Sequence, residues 1–336
     1  LDGSDPAYYF RAGNASSKWY IHMEGGGWCY TPEECVDRAS TSLGSSLGYS
    51  DTQNFDYDYM STDPSLNPLM HDWNSVYIKY CDGASFSGMK IDPTNVDGYD
   101  LYFRGKYNLD AILDDMVATK GLGSATDIVV SGCSAGGLAT YLHVDQYAGR
   151  FGETARVVGM PDSGFFLDWE DAGVCGETES IGYESDMANV FAFQNATSGV
   201  NARCVSAHEE AGDTWKCMFA EYTAPHIVTP VFALQSQYDS WQLGCDLSED
   251  ATVAQVNAYG ANLTARLKSS LITGGASGLV NGAFLDSCYH HCGGWSTIPI
   301  AGETQSTAFA KWYNGTVAPD TLYTQNKAYP CDDCCE

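Results

Sequence analysis

Ser134 lies in a stretch whose residue types and context together predict a nucleophile. It is the central residue of Gly-Cys-Ser-Ala-Gly at 132–136, which follows a β-branched run at 128–130 and precedes a helix-forming segment. This strand–turn–helix context is typical of a nucleophile elbow, in which small residues let the chain turn sharply and expose the hydroxyl. A second copy of the pattern, around Ser46, follows no apolar strand and precedes no periodic helix. We therefore interpret Ser46 as a loop residue.

A serine hydroxyl needs a neighbouring base, and that base needs an orienting carboxylate. On a sheet with such an elbow, the order along the chain is Ser, then Asp or Glu, then His. Of the seven histidines, His290 and His291 follow every candidate acid. Asp239 follows an apolar strand-like run and fits the acid, with a helix-capping or turn role as the alternative. Asp162, after an earlier run, is the competitor.

Backbone N–H groups must stabilise the oxyanion that forms on the substrate. One donor is Ala135, directly after the nucleophile, and the others come from a glycine-rich loop after an early strand. The run Gly25-Gly26-Gly27 is that loop, because glycine lets the backbone approach the reacting carbonyl. A phosphate-binding loop is the alternative, but no Gly-Lys-Ser/Thr follows the glycines.

Alternating strands and helices are predicted to position these residues. Strand patterns cover residues 18–23, 75–80, 128–130, 155–159 and 228–234, and helical spacing covers 109–117, 135–147, 253–271 and 306–313. This order predicts an α/β fold with a mostly parallel central sheet and helices on both faces. The stretch 30–70 shows no sustained period, so we expect a long surface excursion pinned by Cys29 and Cys35. We expect one domain over residues 1–336 with long insertions.

The composition restricts the partners. The 336 residues include 16 basic and 43 acidic ones, a net charge of −27, which repels nucleic acid, anionic membranes and polyanions. Such a surface suits an acidic or salty environment. No apolar run approaches the ~18–20 residues needed to span a bilayer. We therefore expect neither nucleic-acid binding nor a membrane span.

Thirteen cysteines indicate an oxidising compartment. No two Cys-x-x-Cys units have zinc-finger spacing, so disulfides are favoured over a metal, and we expect no cofactor. No signal-peptide pattern is present, so a secreted chain would already be processed. The odd count leaves at least one thiol free; we choose Cys133, which should be buried beside the nucleophile. Four N-glycosylation sequons fit an extracellular protein, at Asn14, Asn195, Asn262 and Asn314.

Seven segments, in order along nearly the whole chain, resemble the motifs of the pectin acetylesterase–Notum family, and its plant pectin acetylesterase branch most. They are Glu-Gly-Gly-Gly-Trp-Cys at 24–29, Tyr-Cys-Asp-Gly-Ala-Ser-Phe-Ser-Gly at 80–88, Tyr-Phe-Arg-Gly at 102–105, Ser-Gly-Cys-Ser-Ala-Gly-Gly-Leu at 131–138, Asp-Ser-Gly-Phe-Phe-Leu-Asp at 162–168, Tyr-Asp-Ser-Trp-Gln at 238–242 and Ser-Cys-x-x-His-Cys at 287–292.

The resemblance implies a secreted, metal-independent, α/β-hydrolase-like carboxylesterase rich in disulfides. The family's triad matches Ser134, Asp239 and His291, because the Ser-Cys-x-x-His spacing selects His291 over its neighbour. Its oxyanion-hole positions match Gly26, Gly27 and Ala135. Plant members usually have a cysteine just before a Leu-Asp-Gly-Ser start, and the resemblance implies that it pairs with Cys81.

We therefore expect hydrolysis of a small acyl ester, an O-acetyl group on a polysaccharide, by an extracellular or cell-wall protein. The alternatives are a Notum-like deacylase of a longer acyl chain and a catalytically idle, glycan-binding or structural glycoprotein with the same fold. Trp28, Phe165, Phe166 and Trp241 could line the acyl or sugar site or could be plain packing residues. Polygalacturonate is itself a polyanion, so the acidic surface leaves the polysaccharide open.

Overall fold

The computed structural model describes residues 1–169, 182–272, 281–318, 321–331 and 333–335. Within these ranges the strands are β1 (Tyr8–Arg11), β2 (Ala15–Met23), β3 (Trp73–Ile78), β4 (Thr94–Val96), β5 (Tyr99–Leu101), β6 (Asp127–Cys133), β7 (Arg156–Asp162), β8 (Phe232–Ser236), β9 (Gly282–Asp286), β10 (Pro299–Ile300), β11 (Glu303–Thr304) and β12 (Leu322–Thr324). The α-helices are α1 (Pro32–Ala39), α2 (Gly105–Thr119), α3 (Ala135–Phe151), α4 (Tyr183–Phe193), α5 (Ala202–His208), α6 (Ala220–Thr223), α7 (Ser240–Asp246), α8 (Val253–Leu267) and α9 (Gln305–Tyr313).

Eight of these strands form one sheet in the order β1-β3-β2-β6-β7-β8-β9-β12, while β4–β5 and β10–β11 are separate pairs. The strands β1 and β3 pair antiparallel, and every other neighbouring pair of the sheet is parallel. This confirms the predicted mostly parallel sheet. A single domain over residues 1–336 stays a prediction.

Helices cover both faces of the sheet because side chains of a strand point alternately to opposite faces. In β2, Trp19 and Ile21 pack in the cluster that contains apolar residues of α2, α3 and α8. Tyr20, between them, packs in a second cluster with Phe309 and Trp312 of α9. The strand β6 divides its side chains in the same way. The predicted α/β class, with an α/β-hydrolase-like architecture, is confirmed.

The strand register brings the ends of five segments to one edge of the sheet. Met23 of β2 lies beside Gly132 of β6, and Cys133 beside Asp162 of β7. Farther along, the last residue of β8 pairs with the last residue of β9. The loops that follow β2, β6, β7, β8 and β9 therefore emerge side by side at the carboxyl edge, where open parallel sheets bind their ligands.

The stretch 30–70 is more ordered than we expected. It contains α1, whose first turn is capped because the Thr31 hydroxyl accepts a hydrogen bond from the Glu34 amide and Pro32 stands at the start of the helix. Its later part sends Tyr59 and Met60 into the core. The interpretation as a surface excursion is therefore wrong for these parts. The glycine-rich run at 274–278, which in the sequence follows the predicted helix at 253–271 as a break, lies outside the described residues.

Most of the described cysteines form disulfides, as is typical of proteins from oxidising compartments. Disulfides join Cys29 to Cys35, Cys133 to Cys292, Cys204 to Cys217, Cys288 to Cys335 and Cys331 to Cys334. The disulfide between Cys29 and Cys35 holds the start of the stretch 30–70, as predicted. The choice of Cys133 as the free thiol is wrong, because the loop after β9 brings Cys292 against it. Among the described cysteines the free thiol is the buried Cys81, and burial raises its pKa to about 11.

The surface carries all four sequon asparagines, Asn14, Asn195, Asn262 and Asn314, as exposed residues. In the described ranges, no helix combines the length and the apolar character that crossing a bilayer requires.

Candidate active site

Ser134 occupies the sharp turn between β6 and α3. Its backbone has φ 60° and ψ −126°, a conformation that side chains rarely adopt and that is typical of functional sites. A methyl group on Gly132 would lie 2.2 Å from the Gly136 carbonyl oxygen, and one on Gly136 would lie 2.0 Å from the Met23 oxygen. Both positions therefore require glycine. The Ser46 region, in contrast, is a turn between irregular segments.

Asp239 is fully buried just after β8, where it caps the N-terminus of α7. Its Oδ1 accepts hydrogen bonds from the Trp241 and Gln242 amides at 3.1 and 3.0 Å. Its Oδ2 accepts from Gln235 Nε2 at 3.2 Å and is 2.8 Å from His291 Nδ1. The capping role and the contact with histidine, which we set against each other as alternatives, are both present in the structure.

His291 turns one ring nitrogen to Asp239 and leaves the other unpaired. Its Nδ1 lies within 2.9 Å of both carboxylate oxygens. Its Nε2 is buried and finds no hydrogen-bond partner in the described part of the chain. A carboxylate that fixes Nδ1 as the donor leaves Nε2 as the basic atom.

The disulfide between Cys133 and Cys292 joins the neighbours of the candidate nucleophile and base. Cys133 directly precedes Ser134, and Cys292 directly follows His291; their Cα atoms are 5.9 Å apart. The two halves of the candidate site are thus linked covalently although they lie on loops 159 residues apart in sequence. Sequence reasoning missed this link.

Asp162, the competing acid, supports both halves of the site instead of orienting the base. Its backbone oxygen accepts a hydrogen bond from the Ser134 amide at 3.0 Å. Its carboxylate accepts from the Gly293 amide at 2.9 Å and from the Tyr59 hydroxyl. Burial raises the pKa of Asp162, and these hydrogen bonds oppose that rise.

His290 belongs to a separate ion pair. Its Nε2 lies 3.0 Å from Asp286 Oδ1, and its Nδ1 lies 3.0 Å from the Cys292 carbonyl oxygen. Burial lowers the pKa of His290, but the hydrogen bond to the Asp286 carboxylate and its charge outweigh burial and raise the pKa to about 9. An imidazolium with both nitrogens engaged is unsuited to act as a general base.

The glycine loop lies against the candidate nucleophile. A methyl group on Gly25 would come within 2.9 Å of Ser134 Cβ, so the loop backbone packs on the serine. Gly26 and Gly27 have φ values of 142° and 65°, which glycine adopts readily. The Gly26 carbonyl accepts a hydrogen bond from Arg38 Nη2 at 2.8 Å.

Two residues outside the loop fix its peptide planes. Arg38, on α1, also donates from Nε to the Leu43 carbonyl at 3.1 Å and lies over the Tyr80 ring. The Tyr80 hydroxyl donates to the Gly27 carbonyl at 2.8 Å. In a trans peptide the N–H points away from the preceding C=O, so holding the Gly26 carbonyl fixes the direction of the Gly27 N–H. Sequence reasoning missed both residues.

Three of the four predicted pocket aromatics form one cluster beside His291. Trp28, Phe166 and Trp241 contact one another with ring centroids 5.0 to 5.5 Å apart, and Phe166 and Trp241 each lie 6.2 Å from the His291 ring. Phe165 instead packs against Tyr141 of α3 inside the core. A further ring, missed by sequence reasoning, joins the cluster from the start of α4; it is Tyr183.

Among the described residues, one group that could ligate a metal comprises Cys204, His208 and His226, whose ligand atoms lie within 4.8 Å of one another. Cys204 is consumed in its disulfide with Cys217, and His208 Nδ1 is 2.8 Å from Asp213 Oδ1. The other group, Cys288, Cys334 and Cys335, consists of disulfide cysteines. Five of the six residues in these two groups are thus engaged in bonds within the chain.

Comparison with known proteins shows independently which family the chain is similar to. A family model described as Pectinacetylesterase matches residues 1–336. Pectin acetylesterase 11 of Arabidopsis thaliana is 35% identical over 334 residues, which cover 91% of this chain and 80% of that protein. Pectin acetylesterase 5 of the same plant is 32% identical over 360 residues, covering 100% and 81%. The palmitoleoyl-protein carboxylesterase NOTUM of Schmidtea mediterranea is 31% identical over 252 residues, covering 72% and 46%.

Proposed function

Because the chain belongs to the pectinacetylesterase family, a family of carboxylic ester hydrolases, we propose that it is a serine esterase that removes O-acetyl groups from a polysaccharide. Ser134 is the nucleophile, His291 the general base and acid, and Asp239 the orienting carboxylate. The observation that carries the proposal is the contact between the buried Asp239 and the half-buried His291, whose neighbour Cys292 forms a disulfide with the neighbour of Ser134. The matching chain order of the three residues supports it further.

In the first half of the reaction, the Ser134 oxygen attacks the acetyl carbonyl carbon while His291 Nε2 takes the hydroxyl proton. The tetrahedral intermediate carries its negative charge on the former carbonyl oxygen. The N–H groups of Gly26, Gly27 and Ala135 donate hydrogen bonds to that oxygen. The C–O bond to the sugar then breaks, His291 returns the proton to the departing sugar oxygen, and an acetyl-serine ester remains.

In the second half, a water molecule gives its proton to His291 and attacks the acetyl-serine carbonyl. The second tetrahedral intermediate uses the same oxyanion donors. It collapses to acetic acid as His291 reprotonates the Ser134 oxygen. Throughout, the Asp239 carboxylate holds His291 Nδ1 as a hydrogen-bond donor and offsets the charge of the imidazolium.

The aromatic cluster beside His291 supports a short acyl group over a long one. Phe166 is fully buried and Trp28 is 6% exposed, so the described rings pack against one another instead of forming a deep channel. Trp28 is further held by a hydrogen bond from its Nε1 to the Ser85 hydroxyl at 2.8 Å. We therefore favour acetyl over a Notum-like long acyl chain. The intact residue set argues against an idle glycoprotein.

The disulfides and the four exposed sequons support a secreted glycoprotein that acts outside the cell, on the cell wall or matrix. Glycan occupancy at each sequon is testable by peptide mass spectrometry of the protein purified from its native source, before and after removal of N-glycans.

The decisive experiment compares Ser134→Ala with Ser46→Ala, since the second serine has the same local sequence pattern. Turnover of 4-nitrophenyl acetate and labelling by a fluorophosphonate are measured on both folded variants. We expect Ser134→Ala to lose labelling and at least about 10³-fold in kcat, and Ser46→Ala to match the parent protein. Undiminished hydrolysis by Ser134→Ala would refute the proposal.

A second experiment measures kcat/KM for 4-nitrophenyl esters from acetyl to dodecanoyl. A closed aromatic cluster predicts a maximum at acetyl or propionyl and a steep fall by octanoyl. A maximum at octanoyl or longer would favour the Notum-like alternative.

A further inference from the structure

A cavity of about 260 Å³ borders the Cys133–Cys292 disulfide. It is lined by both cysteines and by Gly293, so it adjoins the residues that flank Ser134 and His291. Ser134 and His291 are not part of its lining. The reaction described above uses none of its other residues, which come from β2, β3 and the segment 57–60.

The cavity has a continuous aromatic wall. The rings of Tyr59, His22 and Tyr77 stack in sequence, with centroids 5.7 and 5.5 Å apart and interplanar angles of 19° and 13°. Burial lowers the pKa of His22 to about 3, so this imidazole is uncharged at the pH values at which proteins function. Because these neutral rings stack face to face, they turn their edges to the cavity, and the exposed Tyr57 is the ring left to stack on the CH-rich face of a pyranose.

Tyr57 stands exposed at the same cavity. It retains 45% of its accessible surface, unlike most aromatic side chains of the chain, and in the described structure its hydroxyl makes no hydrogen bond. The next residue, Asp58, is held at φ 46°, an unusual conformation for a residue other than glycine. This turn keeps Tyr57 and the carboxylate of Asp58 together at the cavity, where both remain available to a ligand.

The charges around the cavity disfavour an anionic ligand. Asp58 lines it, and among the described residues no arginine or lysine does. Three cations contact lining residues, and each has a carboxylate partner: Lys79 pairs with Glu24, Arg11 lies 3.6 Å from Asp56, and His290 lies 3.0 Å from Asp286. An uncharged sugar would therefore bind here at lower electrostatic cost than a uronate.

We propose that this cavity is a binding subsite for an uncharged pyranose unit next to the acetylated sugar, so that the esterase acts on neutral or methyl-esterified stretches of an O-acetylated glycan. The inference rests on the proposed function, which supplies the acetylated sugar at Ser134. Tyr57 stacks on the ring, and the charge of Asp58 disfavours free carboxylates.

The test uses four substrates with the full chain. They are 4-nitrophenyl acetate, O-acetylated xylo-oligosaccharides, which are neutral, and O-acetylated oligogalacturonates with and without methyl esters. For each variant, kcat/KM on an oligosaccharide is divided by kcat/KM on the aryl acetate. The variants are Tyr57→Ala and Asp58→Asn, and the matched control is Tyr99→Ala, which changes a 63% exposed tyrosine outside the cavity.

We expect Tyr57→Ala to lower the ratio for the neutral oligosaccharide about tenfold, mainly through KM. Asp58→Asn should raise the ratio for the unesterified oligogalacturonate about two- to fivefold. The ratio for the methyl-esterified oligogalacturonate should stay unchanged in this variant. Tyr99→Ala should leave every ratio at the parent value. An unchanged ratio in Tyr57→Ala, or a parent enzyme that prefers the charged oligomer, would overturn the proposal.

A binding measurement separates this inference from the esterase mechanism. Titration calorimetry of Ser134→Ala with deacetylated xylo-oligosaccharide should detect binding that adding Tyr57→Ala weakens about tenfold. If the parent protein proves not to be an esterase, the calorimetric titration still tests whether the cavity binds a sugar. Equal affinity of the single and double variants would reject the subsite even if the esterase mechanism holds.

Discussion

Replacing Asp239 by Asn separates its two roles. Asn is as good a helix cap as Asp, and its side-chain oxygen can still accept from the Trp241 and Gln242 amides. Its NH₂ group would face the His291 Nδ1 and the Gln235 amide. In the parent protein both of these groups donate to a carboxylate oxygen, so in the variant each would face another donor. Nδ1 must then lose its proton to Nε2, which leaves the imidazole in the wrong tautomer to act as a base.

The expected magnitudes follow from these contacts. For Asp239→Asn, the wrong tautomer should lower kcat about 10⁴-fold, which is about 5.5 kcal/mol of transition-state stabilisation. Stability should fall by about 1–3 kcal/mol, since only the Gln235 contact becomes a donor–donor conflict. Asp239→Ala should be equally inactive but less stable. The alanine variant also loses the helix cap, which contributes about 1 kcal/mol to the free energy of unfolding, and it leaves the His291 Nδ1 donor without an acceptor.

The assay pairs kcat on 4-nitrophenyl acetate with urea unfolding of each variant. Asp162→Asn serves as the control for a buried carboxyl that contacts the site without touching His291. It should retain far more activity than Asp239→Asn. If Asp239→Asn keeps more than a tenth of parental kcat, Asp239 is a structural cap only, and the assignment of the triad fails.

Three further predictions test other parts of the site. Arg38→Lys should lower kcat on the aryl acetate about tenfold at unchanged KM, because a lysine ammonium cannot bond the Gly26 and Leu43 carbonyls together as the guanidinium does; a change in KM alone would contradict this role. Replacing Cys133 and Cys292 together by Ser should reduce the free energy of unfolding by at most about 5 kcal/mol, which is the loop-closure entropy for 159 residues. If the double variant is as stable as the parent protein, the disulfide is dispensable for stability. The pKa of His290 is raised from 6.5 to about 9, so its stabilising effect is complete below pH 6.5 and is lost as the pH rises through 9. In urea titrations the parent should lose up to about 3 kcal/mol more than His290→Gln between pH 6 and 9.5, and parallel curves would exclude the ion pair as a contributor.

The regular parts of the fold are readable from sequence because their patterns are local. The β-branched run before Ser134 and the helical spacing after it each reflect burial on a sheet or helix face. The strand ends then determine which loops meet at the carboxyl edge. The helix α1 escaped notice although Thr31-Pro32 and the following acidic residues form a recognisable start signal. Its short length, in a segment rich in polar residues, hid the period.

The parts that could not be predicted depend on contacts between distant segments. Nothing local to Cys133 says that Cys292 will reach it, since that pairing depends on how two loops pack. The adjacent residues Phe165 and Phe166 follow β7 in irregular structure, and only the tertiary packing decides that the second ring faces His291. Asp162 ends β7 and Asp239 follows β8, and their different partners follow from the sheet order.

The disulfide beside Ser134 also makes the timing of synthesis relevant to activity. Cys133 cannot pair until Cys292 has been made, and at translation speeds of roughly 5–20 residues per second that wait lasts about 8–30 s. On the proposed mechanism, the growing chain during this interval holds Ser134 but not yet His291, the residue that activates it. The nascent protein is therefore expected to be inert towards the esters around it. Its activity would begin only after His291 has been made, and the link between Cys133 and Cys292 then forms where the compartment supplies an oxidant.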